Sequence, residues 1–210
     1  MAHYKVTVIM AAYNAEDTIE MALNSIPNRD DVEIVVIDDG STDNTAKIVK
    51  EFGRAKLVQH KKNLGLGKAL NAGLKEATGE YVVMLDSDDD FYTGAFEDCM
   101  QDLDGTDLVY FNLITNDGTI FDLTPNSRDL YCGQTKFMRR AFIGSTKYDE
   151  NAPVAEDVPF WEKLKEKKPT EKYTGILVKH YNSPRKGSLT WRRQEGEFDD
   201  FLKERGDIWK

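Results

Sequence analysis

The sequence predicts an α/β fold: a doubly wound, mainly parallel sheet completed by a short, irregular C-terminal region. Three observations carry that expectation. Apolar runs alternate with segments of helical period through the first half of the chain. Those runs are continuous and rich in β-branched residues, as strands buried on both faces require. At 210 residues, with 40% hydrophobic and 31% charged side chains, the chain is long enough for one well-cored domain.

The elements follow in order. "KVTVIMA" (Lys5 to Ala11), "VEIVVID" (Val32 to Asp38), "AKLVQ" (Ala55 to Gln59) and "YVVMLD" (Tyr81 to Asp86) read as strands. Between them, Ala15 to Ser25, Asn44 to Phe52 and Leu66 to Ala77 read as helices, the second opened by the cap-rich "STDNT". Such alternation implies parallel pairing through right-handed crossovers. Ligands of these sheets bind beyond the carboxyl ends of the strands, where "AAYN", "DDGS" and "DSDD" all fall.

The second half is less regular. "DLVYFN", the turn "TNDG" and "TIFDL" give a hairpin signal. A helix is expected around Gln134 to Ile143, then an acidic stretch ending in "AEDV", a helix from Pro159 to Lys167 closed by Pro169, and the strand "YTGILVKHY". "EFDDFLKERGDIWK" is expected to form a short helix that packs back or frays. With no repeat, low-complexity tract or linker, residues 1–210 read as a single domain.

A net charge of −9 argues against a surface built to hold nucleic acid, since phosphate-backbone affinity rests on Lys and Arg. One basic segment, "SPRKGSLTWRR", could meet a small phosphate. No apolar run approaches the roughly 20 residues that span a bilayer, and "MAHYKVTVIMAAYN" lacks the pattern of a secretory signal, so a cytoplasmic protein is expected. Cys99 and Cys132 stand in no metal-ligand spacing and read as reduced and structural.

The densest chemistry lies in "DSDDDFYTGAFE", where Asp86, Asp88, Asp89 and Asp90 crowd within five residues. Like charges so close are costly unless solvated or gathered around a cation. Asp86, Asp88, Asp90 and Glu97 match positions 1, 3, 5 and 12 of a calcium loop, but Phe91 replaces the required Gly and the entering segment is a strand. A D-x-D at a strand end instead suits a divalent cation bridging to a diphosphate. Taken alone it is a weak signal, and a solvated acidic loop is the bland reading.

Other residues point to the same end of the sheet. One of Asp38 and Asp39 would cap the turn before Gly40, leaving the other to accept hydrogen bonds from a base or ribose. Tyr13 offers an aromatic face for stacking, with ordinary packing as the alternative. "NLGLGKALNAG" fails both phosphate-loop patterns: Gly65, Gly67 and Gly73 stand two and then six apart, and no Ser or Thr follows Lys68. These glycines read as permitting a tight loop and close helix packing. Glu156 and Asp157 open a helix, where carboxylates are favoured and Asp157 could serve merely as an N-cap. His180 stands near a strand end, and Arg185, Lys186 and Ser188 could clamp phosphate or form a solvated loop.

Taken in order, these motifs resemble glycosyltransferase family 2, whose members have the GT-A fold and invert the configuration of the transferred sugar. "VTVIMAAYNAEDTIEMALNSI" is similar to the family's opening strand, Tyr-Asn turn and helix, and "EIVVIDDGSTDNTAKIV" to its most recognisable segment. "NLGLGKALNAGLKEATGEYVVMLDSDD" resembles the segment that delivers the D-x-D, and "TKFMRRAFIGSTKYDENAPVAEDVPFWEKL" the region ending in the Glu-Asp pair. The likeness runs from about Lys5 to Leu164. In two places the chain departs from the pattern: Ala11 and Ala12 replace the usual Pro before Tyr13, and Leu70 stands where Arg is common; a metal-binding His is found in only some members.

The resemblance implies a UDP-linked nucleotide-sugar donor and Mn²⁺ or Mg²⁺. It would place residues 1–112 at the donor and 113–210 at the acceptor and base. Tyr13 and Asp39 would hold the uracil or another base and Asp86 the ribose or the metal, with Ala12, Asn14, Ser87, Lys68, Arg185 and Lys186 completing the nucleotide-sugar site. Asp88 and His180 would bind the metal, and Asp157 would be the general base. The acceptor could be a glycan, a lipid-linked sugar, a protein or a small molecule, with nucleic acid disfavoured by charge. A nucleotidyltransferase of similar fold and a non-catalytic calcium- or nucleotide-binding module are the rival readings.

Overall fold

The structure, a computed structural model, describes residues 5–124, 134–182, 192 and 194–204. The first half alternates β1 (Val6–Ala12), α1 (Ile19–Ser25), β2 (Val32–Asp38), α2 (Thr45–Phe52), β3 (Lys56–Gln59), α3 (Leu66–Glu76) and β4 (Tyr81–Met84). The second half contains β5 (Asp90–Phe91), α4 (Thr93–Met100), β6 (Leu108–Thr115), β7 (Ile120–Phe121), β8 (Lys136–Arg139), α5 (Arg140–Ile143), α6 (Val158–Glu166), β9 (Glu171–Tyr181) and α7 (Asp199–Glu204).

Among the described residues these strands form one nine-stranded sheet in the order β3-β2-β1-β4-β8-β6-β9-β5, with β7 paired to β6. The β3-β2-β1-β4 half is wholly parallel, β6 and β9 are parallel to each other, and β8 runs antiparallel between β4 and β6. The mainly parallel, doubly wound architecture expected from the sequence is therefore present, with helices on both faces. Side chains alternate across β1: Val6, Val8 and Met10 pack under α1, α2 and α4, whereas Ile9 packs with Leu70 of α3 and with Phe160, Trp161 and Leu164 of α6.

Close helix packing explains one glycine of the "GLGKALNAG" segment. A Cβ at Gly73 would lie 2.3 Å from Ile9 Cγ2, so α3 approaches β1 as nearly as it does only because residue 73 has no side chain. Leu70, standing where the family commonly has Arg, is buried in the same interface.

Five expectations need correction. The stretch 134–143 is not one helix but the strand β8 followed by the four-residue α5. Pairing to β4 and β6 decides its conformation, and the buried Lys136, 3.7 Å from the Trp161 ring centroid, gave the segment a misleadingly polar look. The first helix begins at Ile19 rather than Ala15, and β4 ends at Met84, before the aspartates. The partner of the "TNDG" turn shrinks to Ile120–Phe121. Finally, "DDDFYTGAFE", for which no secondary structure was expected, contains both β5, which pairs with β9, and the helix α4. Cys99 on α4 is buried, and burial pushes its thiol up to about 12.

Candidate active site

Parallel pairing sets the ends of β1 and β2 side by side, with Ala12 opposite Asp38. The Asp39 amide donates to the Ala12 carbonyl at 2.8 Å, joining the two loops that follow. Asn14 cross-links them again: its amide donates to Ser41 Oγ at 2.9 Å and its Oδ1 accepts from the Thr42 amide at 2.9 Å. Asn14 takes a φ of 48° to do so, a conformation Asn tolerates better than most residues. Between these anchors Tyr13 is left 46% exposed.

The two aspartates after β2 have separated tasks. Asp38 closes the turn, accepting from the Ser41 amide at 2.9 Å and from Gln59 Nε2 at 3.1 Å. The buried Asp39 accepts from the Leu64 and Gly65 amides, the latter at 2.8 Å, and faces His60 Nδ1 at 2.6 Å. Gly40, at φ 79°, lets this loop pass against Lys62, whose carbonyl carbon would lie 2.3 Å from an added Cβ.

The acidic loop follows β4 on the other flank of β1. Ser87 and Asp89 are buried, Asp86 and Asp88 half-buried. Beneath the loop lies a cation the sequence reading did not single out: the fully buried Lys179 Nζ stands 2.7 Å from Asp89 Oδ2. Lys179 also donates to Gln134 Oε1, and Gln134 Nε2 donates to Asp86. Asn182 binds the loop from the end of β9, its amide to Asp89 Oδ1 at 2.9 Å and its Nδ2 to the Asp88 carbonyl at 2.7 Å. Burial, ahead of the nearby Asp89 and Asp88 charges, pushes Asp86 up to about 7, while Lys179 and Gln134 pull against that rise. His180 turns Nδ1 to Asp90 Oδ1 at 3.1 Å.

The third component arrives from the second half of the chain. Asn71 on α3 clamps the stretch before α6: its Nδ2 donates to the Tyr148 carbonyl at 3.1 Å and its Oδ1 accepts from the Tyr148 amide at 2.9 Å. Gly67 admits the same stretch, since a Cβ there would lie 2.2 Å from the Asp149 carbonyl oxygen. Ala155, at φ 57°, then turns the chain into Glu156 and Asp157. Glu156 is 8% exposed, and burial first, then Asp157, Asp86 and Asp149, raise its carboxyl to about 7. Asp157 stands at the N-cap of α6, and its side chain makes no capping hydrogen bond there.

The structure thus gathers Ala12, Tyr13, Asn14 and Asp39 at adjacent strand ends. It sets Asp86, Ser87 and Asp88 in the loop that follows β4, the other neighbour of β1, with His180 tied to the same loop through Asp90. Lys68 lies half-buried in the first turn of α3. Arg185, Lys186 and Ser188 fall outside the described residues, as does Cys132. Among the described residues no three His, Cys, Asp or Glu side chains are grouped as a preformed metal centre, and no helix is long and apolar enough to cross a membrane. Lys179, Gln134, Asn182, His60 and Asn71 were missed because each acts across a long sequence separation.

Comparison with known proteins agrees with this geometry. EpsH of Bacillus subtilis (strain 168), named as a glycosyltransferase, is 34% identical over 137 residues, covering 62% of this chain and 38% of that protein. The chain therefore spans well under half the length of this curated relative. The crystal structure of S. aureus TarS 1-349 in complex with UDP-GlcNAc superposes with a TM-score of 0.77 at 28% identity, covering 88% of this chain and 60% of that one. The mannosyltransferase PcManGT from Pyrobaculum calidifontis, in complex with GDP-Man and Mn²⁺, shares the fold at a TM-score of 0.71 and 23% identity, covering 98% and 65%. The family model for glycosyl transferase family 2 matches residues 7–159, most of the chain and all three parts of the site. The chain belongs to glycosyltransferase family 2 and has the GT-A fold.

Proposed function

We propose that this chain transfers a sugar from a UDP-linked donor to an acceptor hydroxyl in a single displacement that inverts the anomeric carbon. One observation carries the reading: the start of α3 joins the two sets of carboxylates, since the Gly65 amide donates to Asp39 at 2.8 Å while a Cβ on Gly67 would lie 3.4 Å from Glu156 Cβ.

Tyr13 presents the face on which a uracil would stack, and Asp39 accepts the hydrogen bond of the base. Three protein donors already hold the Asp39 carboxylate, so it is oriented before the donor arrives. Asp86 and Ser87 meet the ribose, and Lys68, with Arg185 and Lys186, the phosphates. The residues present fit a divalent cation: Asp88 and Asp86 offer the hard carboxylate oxygens that Mn²⁺ and Mg²⁺ take, and His180, with Nδ1 turned to Asp90, keeps Nε2 for a metal. When bound, the cation would neutralise charge developing on the departing diphosphate. Asp157 takes the acceptor proton as the hydroxyl attacks.

Replacing Asp157 by Asn tests the assignment. Transfer from UDP-sugars should vanish while UDP still raises the melting temperature as it does for the unmodified protein. Wild-type turnover in that variant would remove Asp157 from the base role. Pyrophosphate release from a nucleoside triphosphate would identify a nucleotidyltransferase instead.

A further inference from the structure

The acidic loop is supported from below by a cation of the protein's own. Lys179 is fully buried on β9, a placement that is costly for an ammonium unless its charge is met. Asp89 meets it at 2.7 Å, and the Asn182 amide completes Asp89. Neutralising the pair would need nothing more. Yet the contacts continue outward: Lys179 donates to Gln134, and Gln134 donates to Asp86. The orientation of the Gln134 amide is forced, because an ammonium can only donate and must therefore face Oε1, leaving Nε2 for the carboxylate. The chain of bonds ends on the residue that begins the D-x-D.

We propose that Lys179, acting through Gln134, is a positioning residue that fixes the Asp86 carboxylate and holds the Asp86–Asp90 loop in shape to receive a metal–nucleoside diphosphate. The second half of this statement rests on the donor site proposed above. In this role neither residue needs to touch donor or acceptor. Lys179 sets the amide, the amide sets the carboxylate, and the pairing of Asp90 with His180 and Phe91 with Lys179 ties the far end of the loop to the same strand.

Gln134→Leu separates positioning from folding, because it removes the link while leaving the Lys179–Asp89 pair intact. Its melting temperature without ligand should fall by about 6–12 °C, the loss of two hydrogen bonds to charged groups, with the protein still folded at room temperature. Amide hydrogen exchange of residues 87–90 in the ligand-free protein should quicken about tenfold, with β1 amides unchanged. UDP affinity in the presence of Mn²⁺, measured by titration calorimetry, should weaken about 10-fold. Gln134→Glu can still accept from Lys179 but offers Asp86 only another carboxylate, so its UDP affinity should weaken further. Wild-type loop exchange and wild-type UDP affinity in Gln134→Leu would overturn the proposal, as would wild-type affinity in Gln134→Glu. If the unmodified protein itself takes up no UDP with Mn²⁺, the donor reading falls, and the exchange comparison alone decides whether Gln134 positions the loop.

Discussion

Replacing Glu156 with Gln should stabilise the protein at alkaline pH and change little in acid. The carboxyl is buried beside Asp157, with Asp86 and Asp149 adding like charge, and it releases its proton near pH 7 rather than at its ordinary 4.5. Between those values the native state holds a proton that the unfolded chain has already lost. The native state therefore gains from Glu156 below about pH 4.5 and loses that gain progressively as the pH climbs through 7. A gap of about 2.5 between the two values, at roughly 1.4 kcal/mol per pH unit, sets a ceiling of about 3 kcal/mol on the cost of ionising Glu156 in place. Water entry and movement of the 148–157 stretch would relieve part of it, so roughly 1–2 kcal/mol is the working figure. Gln is nearly isosteric and carries no charge. In a domain of this size each kcal/mol moves the melting temperature by about 2–4 °C. Melts of both proteins at pH 5 and pH 8.5 should coincide to within a few degrees at the first and separate by about 2–8 °C, the variant higher, at the second. Groups common to both proteins cancel in the comparison. A variant no more stable than wild type at pH 8.5 would refute the reasoning, because it would mean that the ionised carboxylate is not paying for its burial.

Three further outcomes follow. Gly73→Ala sets a helix-propensity gain of about 1 kcal/mol against overpacking of about 1–3 kcal/mol. The 2.3 Å approach to a branched core side chain makes the second term win, so the melting temperature should fall, and a rise would mean that α3 can shift away from β1. Asn71→Ala removes both bonds to Tyr148. Amide exchange across 148–157 should quicken and transfer should slow while UDP affinity stays near wild type; unchanged exchange would show that the stretch is held without the clamp. In Asp88→Ala, Mn²⁺ should no longer add to the thermal stabilisation given by UDP, and full retention of the Mn²⁺ effect would move the metal elsewhere.

The first half of the fold was legible because its signals are local. Each of β1 to β4 is an apolar run, each crossover helix has its own period, and the loops that carry Tyr13, Asp39 and Asp88 follow strand ends directly. Parallel pairing then brings those loops together without further information. The second half resisted for the opposite reason. The segment 134–143 has no period that separates helix from strand, and only hydrogen bonding to β4 and β6 made Lys136–Arg139 a strand. The two-residue β5 exists only because β9 lies beside it.

The site divides along the same line. The sequence by itself singled out the candidate carboxylates, since Asp86, Asp88 and the Glu156–Asp157 pair sit in recognisable local contexts. Only the tertiary structure decided what each carboxylate meets. It gave Asp38 the turn and Asp39 a set of three donors, placed Lys179 beneath the acidic loop from some ninety residues away, and brought Glu156 within the field of Asp86. Charge is written residue by residue, but desolvation and pairing depend on which distant segments pack together, and that is fixed only when the sheet closes.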